Sequence, residues 1–269
     1  MIKVLVFSKN RPMQLEAYLD SLFTLTGVST YADNVAIILN NKEDYAELID
    51  SYSSITSLQW IDDKGNFDYA LRNYAESITE HDTVLFGCDD VVFIRPVGIH
   101  IIENILGEMT DTLGFSLRLG KNIANCPKQE GDARVFYPWN WINKPSHWGY
   151  PFELMASCYR GSLVKEIIES NKSQMQCPNH LESYGVTYCI NNKREQQPIM
   201  AMFNTLNYAV AQDVNRVQHH FQNKYDGTEE HDPEYLKTLF KDGKRLDWTN
   251  LFGIVSSDCF VGHSYWKVK

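Results

Sequence analysis

The chain has 269 residues, with 25 Lys and Arg against 34 Asp and Glu, so its formal net charge is −9 with histidines neutral. This acidic balance argues against a nucleic-acid partner, because such partners are held by basic side chains that neutralise phosphates. Hydrophobic residues make up 43% of the chain and charged residues 22%, which is typical of a globular protein and excludes disordered and fibrous classes. No stretch approaches the roughly 20 apolar residues of a transmembrane segment, so we expect a cytoplasmic protein, at most peripheral at a membrane.

The six cysteines are scattered along the chain without the paired spacing of a zinc site or a disulfide framework. Buried, reduced thiols are the expectation. The length allows one large α/β domain or two small ones, and no break in composition favours two.

The first third of the chain alternates predicted strands and helices. Short β-branched runs predict the strands, and apolar residues at helical spacing predict the helices between them. The predicted strands are 2–7, 34–39, 57–61 and 81–86, and the predicted helices are 13–25, 43–52 and 67–78. This alternation favours an α/β fold with a mostly parallel sheet flanked by helices. Ligands bind such sheets beyond the carboxyl ends of the strands, where this sequence has polar clusters.

The rest of the chain is less regular. The stretch 120–151 is rich in Asn, Pro, Trp and Gly, and a long irregular stretch in a compact domain is often a functional loop. Its tryptophans could stack on a sugar or form a small core under the loop; we expect the core role for at least one of them. The other predicted elements are helices at 99–109 and 162–170, a helix or turn at 181–191, and strands at 112–119 and 155–159.

Asp89 and Asp90 lie between two apolar runs. Two adjacent carboxylates at the mouth of a sheet are costly unless a positive charge lies beside them. A divalent cation, Mn²⁺ or Mg²⁺, meets this need, since hard ions bind one or two carboxylates together with the oxygens of a substrate phosphate. On this segment alone, a turn or helix-capping role for the two aspartates is equally well supported.

The first predicted turn, residues 7–12, has no glycine. It therefore matches neither a dinucleotide-binding fingerprint nor a phosphate-binding loop. What it offers is a polar turn with Arg11 at the ligand edge of the sheet, which suits a nucleotide base, ribose or phosphate. Polar strand-to-helix turns that end in proline are common, so this turn by itself is weak evidence.

Together these segments resemble the GT-A glycosyltransferases, in particular the nucleotide-sugar-dependent enzymes similar to family two. The opening Phe7-Ser-Lys-Asn-Arg-Pro12 resembles the family's first-strand motif, and Lys64-Gly65 with Ala70-Leu-Arg-Asn73 is similar to its glycine and donor-facing helix. Cys88-Asp-Asp90 stands where the family has its metal-binding Asp-x-Asp motif. The resemblance covers about residues 1–95 and, more weakly, 150–190.

The sequence departs from the family pattern at two places. The second strand ends in Asn40-Asn41 where an acidic pair is usual, which leaves the contact to the base open. Gly87 and Cys88 precede the two acids of the metal motif, so which aspartate contacts the metal is also open.

The resemblance implies one GT-A, Rossmann-like domain over 1–269, with a nucleotide-sugar-binding half at 1–95 and an acceptor-binding half at 96–269. It implies transfer from a nucleotide-diphosphate sugar, a UDP-sugar being favoured, to a glycan acceptor, as in the synthesis of cell-surface polysaccharide. Such acceptors are often carried on lipids, which is the reason to keep peripheral membrane contact open. The implied donor-binding residues are Phe7, Ser8, Arg11, Asn40, Lys64, Asn66, Arg72 and Asp89.

The chemistry read from the residues is compatible with this resemblance. Sugar transfer needs the charge of the leaving group neutralised, a task for a metal at Asp89 or Asp90 aided by a cation such as Arg11 or Arg72. If the anomeric centre inverts, a carboxylate must also deprotonate the acceptor hydroxyl.

Glu182 is the predicted catalytic carboxylate, with Glu153 second. Glu182 falls about where the family places its catalytic acid residue, although an exposed helix acid is the more frequent role for a glutamate. Downstream histidines are candidates for a further metal ligand, and His219 and His263 rank equally. A lone histidine is more often a hydrogen-bonded or surface residue.

Two other functions are compatible with parts of the sequence. A sugar nucleotidyltransferase would want a glycine-rich basic loop after the first strand, and residues 8–11 contain no glycine. A non-catalytic nucleotide- or glycan-binding protein would keep its ligand without a metal, so replacing Asp89 would distinguish it from a metal-dependent enzyme.

Overall fold

The computed structural model describes residues 1–28, 32–128, 135–218 and 228–269. Its strands are β1 Ile2–Ser8, β2 Ala32–Leu39, β3 Leu58–Asp62, β4 Thr83–Cys88, β5 Val91–Phe93, β6 Thr112–Ser116, β7 Phe136–Asn140, β8 Ser157–Arg160, β9 Ile199–Phe203 and β10 Ala209–Ala211. Its α-helices are α1 Pro12–Leu25, α2 Ala46–Ser51, α3 Phe67–Glu76, α4 His100–Glu108, α5 Gly161–Ser170, α6 Pro178–Asn192 and α7 Pro233–Lys241. Within these described ranges, no helix is both long enough and apolar enough to cross a membrane.

Eight strands form one mixed sheet in the order β3-β2-β1-β4-β8-β6-β9-β7. The first four run parallel to one another, β8 is antiparallel to both β4 and β6, and β6 is parallel to β9. The α/β fold with a mostly parallel sheet flanked by helices is therefore confirmed. A short antiparallel pair, β5 with β10, lies outside this sheet.

The central strands are buried on both faces, so β1 and β4 read as near-continuous apolar runs. One core, with Val4 and Leu22, lies under α1, and the other, with Phe86 and Ile167, lies under α3 and α5. Two packed faces hold the strand ends at fixed positions, which is what a binding site at that edge requires.

The topology brings six strand ends to one edge of the sheet. The carboxyl ends of β1 to β4 lie there because these strands are parallel. Strand β8 runs antiparallel to β4, so its start lies at the same edge. Strand β6 runs antiparallel to β8, so its carboxyl end lies there too. Four strand spacings of about 4.8 Å, or about 19 Å in total, separate β2 from β6 along this edge.

The stretch 120–151 is more ordered than its composition suggests. It contributes β7, which pairs antiparallel with β9, and its Trp139, Trp141 and Trp148 are all buried in the core. The rings of Trp139 and Trp148 meet edge to face with centroids 5.2 Å apart, and each indole N–H donates to a backbone carbonyl. These three side chains are core residues and do not stack on a sugar.

Candidate active site

A cavity of about 660 Å³ follows the strand ends from β3 to β6. Among its lining residues are seven acidic and four basic side chains. The acids are Asp63, Asp89, Asp90, Glu153, Glu182, Asp213 and Asp258, and the bases are Lys9, Arg11, Arg118 and Arg216. Such an excess of negative charge is unfavourable for a diphosphate unless a cation enters with it.

Arg11 supplies the positive charge that the adjacent carboxylates need. Its guanidinium pairs with Asp89 and lies 3.2 Å from the Asp90 carboxylate, measured from Nη1 to Oδ2. Burial alone would lower the pKa of Arg11, but Asp89 and Asp90 outweigh burial and raise it. Arg11, within the first polar turn, therefore bridges the two aspartates, a role that the sequence analysis gave to a divalent cation.

The two aspartates differ in their remaining capacity to bind a ligand. Asp89 is 1% exposed, and besides the Arg11 pair it accepts hydrogen bonds from the Ser8 hydroxyl at 2.8 Å and from the Lys9 N–H at 3.2 Å. Asp90 has one oxygen on Arg11, and its side chain is 17% exposed toward the cavity. Asp90 is consequently the better candidate for a metal ligand, and Asp89 anchors the turn.

The first turn also joins β2. Asn10 and Asn40 exchange two hydrogen bonds, from Asn10 N–H to Asn40 Oδ1 at 3.0 Å and from Asn40 Nδ2 to Asn10 Oδ1 at 2.6 Å. Asn10 adopts φ of 56°, a left-handed conformation that asparagine tolerates better than most residues. Phe7, Ser8 and Asn40, three of the predicted donor-binding residues, line the cavity.

Glu182 lies on α6 and lines the cavity. Its Oε1 accepts the Leu154 N–H at 3.3 Å, which holds the side chain near the start of β8. Burial and then the nearby Glu153 raise the pKa of Glu182 to about 7. A carboxylate with a pKa near the operating pH is suited to general base catalysis, and Glu182 is half-buried rather than an exposed helix acid.

Glu153 has a different environment. It is 2% exposed, pairs with Arg118, and accepts hydrogen bonds from the Ser116 hydroxyl at 3.1 Å and from the Ser157 hydroxyl. These three partners engage the carboxylate in contacts within the protein. Of the two predicted catalytic residues, Glu153 is thus the buried ion-pair partner of Arg118, and Glu182 stays the candidate base.

Three of the expected donor residues lie away from the cavity. Arg72 on α3 bonds Asp68 and the carbonyls of Ile168 and Asn171, so it ties α3 to the end of α5. Asn66 uses its side chain to cap α3 by accepting the Tyr69 N–H. Among the described residues that line the cavity, neither of these appears, nor does Lys64. Lys64 is exposed in the turn after β3 with φ of 48°.

The predicted histidine ligands gain no support. His219 lies outside the described residues. His263 is exposed, its ring centroid is 6.1 Å from that of His231, and it is absent from the described lining of the cavity. The preceding Gly262 donates its N–H to Asp213 Oδ1 at 3.0 Å, so the chain at 262 reaches the cavity but the His263 ring does not line it.

The structure brings Arg118, His147, Asp213 and Asp258 into the cavity, and sequence analysis missed all four. They come from the segment after β6, from the irregular stretch and from the C-terminal part, where no strand-end argument applies. The Gln212 N–H bonds the Asp90 carbonyl at 2.8 Å, which places Asp213 beside Asp90. An isolated aspartate in a region without periodicity gave no signal that could have identified it.

Comparison with known proteins places this geometry in context. No protein-family model matches the chain. A bifunctional glycosyltransferase, pgtA from Dictyostelium discoideum, is 23% identical over 263 residues, which cover 84% of this chain and 34% of that protein. The chain therefore spans about a third of the length of the curated relative it matches.

Solved structures of S. aureus TarS have a similar fold. Residues 1–349 of TarS match with a TM-score of 0.51 and 13% identity over 78% of this chain and 60% of that one. The same fragment in complex with UDP matches with a TM-score of 0.52 and 13% identity over 79% and 60%. The resemblance to the GT-A glycosyltransferases is confirmed, and the chain has their fold.

Proposed function

We propose that this chain is a metal-dependent glycosyltransferase that moves a sugar from a UDP-sugar to the hydroxyl of a glycan acceptor. The observation that carries the proposal is the cavity along the strand ends, which combines the Arg11-bridged aspartates with Glu182 as a base of pKa about 7. The similarity to a bifunctional glycosyltransferase and to a UDP complex of TarS supports the reaction class and the nucleotide.

The donor would lie along the first four strand ends. Phe7, Ser8, Asn40 and Asp63 line the cavity at β1 to β3 and form the nucleotide end of the site. The diphosphate would then reach β4, where Arg11 and Asp90 lie. This order follows the edge of the sheet and leaves the β8 and β6 side for the acceptor.

The residues present fit a divalent cation at Asp90, and they do not fit one at Asp89. All the contacts of Asp89 are to protein donors, whereas Asp90 faces the cavity and has Asp213 beside it. One or two carboxylates plus phosphate oxygens are the ligands that Mg²⁺ and Mn²⁺ take in such sites. When bound, the cation would neutralise charge on the departing diphosphate.

The chain's own groups would perform the rest of the reaction. Arg11 remains fixed between the aspartates, and its charge stabilises the leaving diphosphate. Glu182 would accept the proton of the acceptor hydroxyl as that oxygen forms its bond to the anomeric carbon. This assignment corresponds to transfer with inversion, in which the acceptor approaches from the face opposite the diphosphate.

Calorimetric titration of UDP, GDP and dTDP, with and without Mn²⁺, tests the proposal. We expect UDP to bind tightly only with Mn²⁺, and Asp90→Asn to weaken that binding at least about tenfold, as expected for loss of one charged ligand. Asp242→Asn, on an exposed aspartate after α7, is the matched control and should bind as wild type. Failure of all three nucleotides to bind under either condition would refute the proposal.

A further inference from the structure

A second polar cluster lies at the opposite end of the cavity, where the segment after β6 meets the C-terminal part of the chain. Arg118 is 4% exposed and pairs with Glu153. Its Nη1 lies 3.2 Å from His147 Nδ1 and 3.1 Å from Cys259 Sγ. The Nε2 atom of His147 lies 3.5 Å from Asp258 Oδ1.

Arg118 fixes the tautomer of His147. A guanidinium carries only donors, so the Nδ1 atom of His147 must be the acceptor of their hydrogen bond. In a neutral imidazole the ring proton then lies on Nε2. Burial and the charge of Arg118 lower the pKa of His147, so the ring is neutral at pH 7. His147 therefore presents an Nε2–H donor that lies beside the carboxylate of Asp258 and 3.6 Å from the Cys259 sulfur.

The same arrangement argues against a metal at His147, Asp258 and Cys259, although their ligand atoms all lie within 4.8 Å of one another. A metal on Nε2 would displace the proton to Nδ1, which would then face the Arg118 guanidinium donor to donor.

We propose that His147 and Asp258 form the acceptor subsite and that it takes an uncharged sugar by two neighbouring hydroxyl groups. The His147 Nε2–H donates to one hydroxyl oxygen, and Asp258 accepts from the next hydroxyl. Tyr150 and Phe260, which line the cavity beside them, supply aromatic surface for the sugar ring. This inference rests on the proposed transferase function, whose acceptor class it names.

Charge and position support this choice. The positive charge of Arg118 is matched by Glu153, and the carboxylate of Asp258 would repel a uronate or a sugar phosphate. The subsite lies at the β6 end of the cavity, about four strand spacings of 4.8 Å from the β2 end. Glu182 lies between them, since it bonds Leu154 ahead of β8, where a base could reach a hydroxyl of the bound acceptor.

Saturation-transfer NMR with simple sugars, in the presence of UDP and Mn²⁺, tests the subsite. The probes are the methyl glycosides of galactose, glucose, mannose and N-acetylglucosamine, with glucuronic acid as the anionic member. We expect at least one neutral glycoside to bind more strongly than glucuronic acid. His147→Phe and Asp258→Ala should each weaken that binding at least about fivefold, the value of one hydrogen bond, while the UDP affinity measured by calorimetry changes less than twofold.

Matched controls are His81→Phe, on a histidine whose side chain is 85% exposed, and Asp242→Ala, which should both bind glycosides as wild type does. A thermal melt establishes that each variant is folded. Because the Asp258 side chain is half-exposed, Asp258→Ala should disturb folding less than His147→Phe does. If glycosides bind through these residues but UDP does not bind, the transferase proposal fails and a glycan-binding site stands.

Three results would overturn the subsite while leaving the transferase proposal intact, provided that UDP still binds. The first is that none of the neutral glycosides binds. The second is that glycoside binding survives both substitutions. The third is that glucuronic acid binds more strongly than the neutral glycosides.

Discussion

Glu182 and Glu153 line the same cavity, yet their surroundings give them different roles. Glu153 is held by Arg118 and two serine hydroxyls, whereas Glu182 accepts a hydrogen bond from the backbone N–H of Leu154. Burial, which the nearby Arg118 and this hydrogen bond only partly offset, raises the pKa of Glu182 to about 7. Sequence alone ranked Glu182 first by position, but its environment comes from Leu154 and Glu153, whose placement needs the folded sheet.

Replacement of Glu182 by Gln tests its role as base. The amide oxygen can still accept the Leu154 N–H, but the side chain can no longer take a proton. We expect turnover of a UDP-sugar to fall by about 10²-fold or more, with UDP affinity unchanged by calorimetry. In the wild type, kcat/KM should rise with pH to a plateau with a midpoint near 7, following the pKa of Glu182. Glu195→Gln, on an exposed glutamate, is the control, and a variant E182Q with full turnover would contradict the assignment.

Arg11 is the second residue whose environment decides its role. Arg11→Met would leave Asp89, 1% exposed, without its cation, so we expect a loss of about 3–5 kcal/mol in the free energy of unfolding. Asp89→Asn in the same chain removes the uncompensated charge. The double variant should therefore be more stable than the sum of the single losses predicts. Urea denaturation of the four proteins measures this coupling, and strict additivity would show that the pair is not linked energetically.

At the scale of elements, the placement of α6 depends on a glycine. A Cβ added at Gly185 would lie 2.2 Å from the Phe152 ring, and that ring is itself packed against Phe86 and Tyr159 at 5.7 and 4.7 Å between centroids. A larger residue must therefore push α6 outward. Because Glu182 is less than one helical turn away, this proposed base would move with the helix.

Gly185→Ala is expected to cost about 1–3 kcal/mol of unfolding free energy, the usual penalty of overpacking a core. It should also lower kcat more than it changes UDP affinity, since the donor end of the cavity is built by other elements. Gly107→Ala is the matched control, because Gly107 is an exposed helical glycine with nothing within 4 Å of the added Cβ. That substitution should stabilise by about 0.5–1 kcal/mol. Thermal and urea unfolding, together with UDP-sugar turnover, are measured for both variants. An unchanged kcat in G185A would show that the packing of α6 against Phe152 does not affect catalysis.

The elements that sequence predicted best are those with long periodic patterns. Strands β1 to β4 and helices α1, α3, α4 and α5 lie where the apolar spacing placed them, with ends shifted by a few residues. Strand β7 was missed because it is a short edge strand that contains Pro138, a residue that cannot donate to a ladder. Strand β9 has five residues with an apolar pattern too short to separate from a helix segment.

Arg72 and Asn66 show that a motif match does not by itself place a side chain in the cavity. Arg72 lies on α3 and Asn66 caps it, and their hydrogen bonds join α3 to α5 and cap the helix. Arg11 had been given a supporting role and turns out to bridge both aspartates. Long-range pairings such as this one, 78 and 79 positions apart by residue number, leave no periodic trace in a sequence.

Over the whole molecule, the folded state holds carboxyl groups whose pKa values are raised. Burial raises the pKa of Glu182 to about 7, and burial, opposed by Arg245, raises that of Glu16 to about 7. An ordinary glutamate titrates near 4.3, so between about pH 4.3 and 7 the native state keeps protons that the unfolded state has lost. These two groups therefore make the free energy of unfolding fall as pH rises through this window, because the native state binds more protons at them than the unfolded state does.

Replacement of Glu182 by Gln should remove its share of that fall. We expect the wild type to lose unfolding free energy between pH 5 and pH 8, and E182Q to lose about 2 kcal/mol less over the same range. Urea titrations at pH 5, 6, 7 and 8 measure the difference, with Glu195→Gln expected to follow the wild-type curve. Parallel curves for wild type and E182Q would mean that Glu182 titrates as an ordinary acid. Its position in the cavity would then still suit hydrogen bonding to an acceptor, but its pKa would no longer favour proton abstraction at neutral pH.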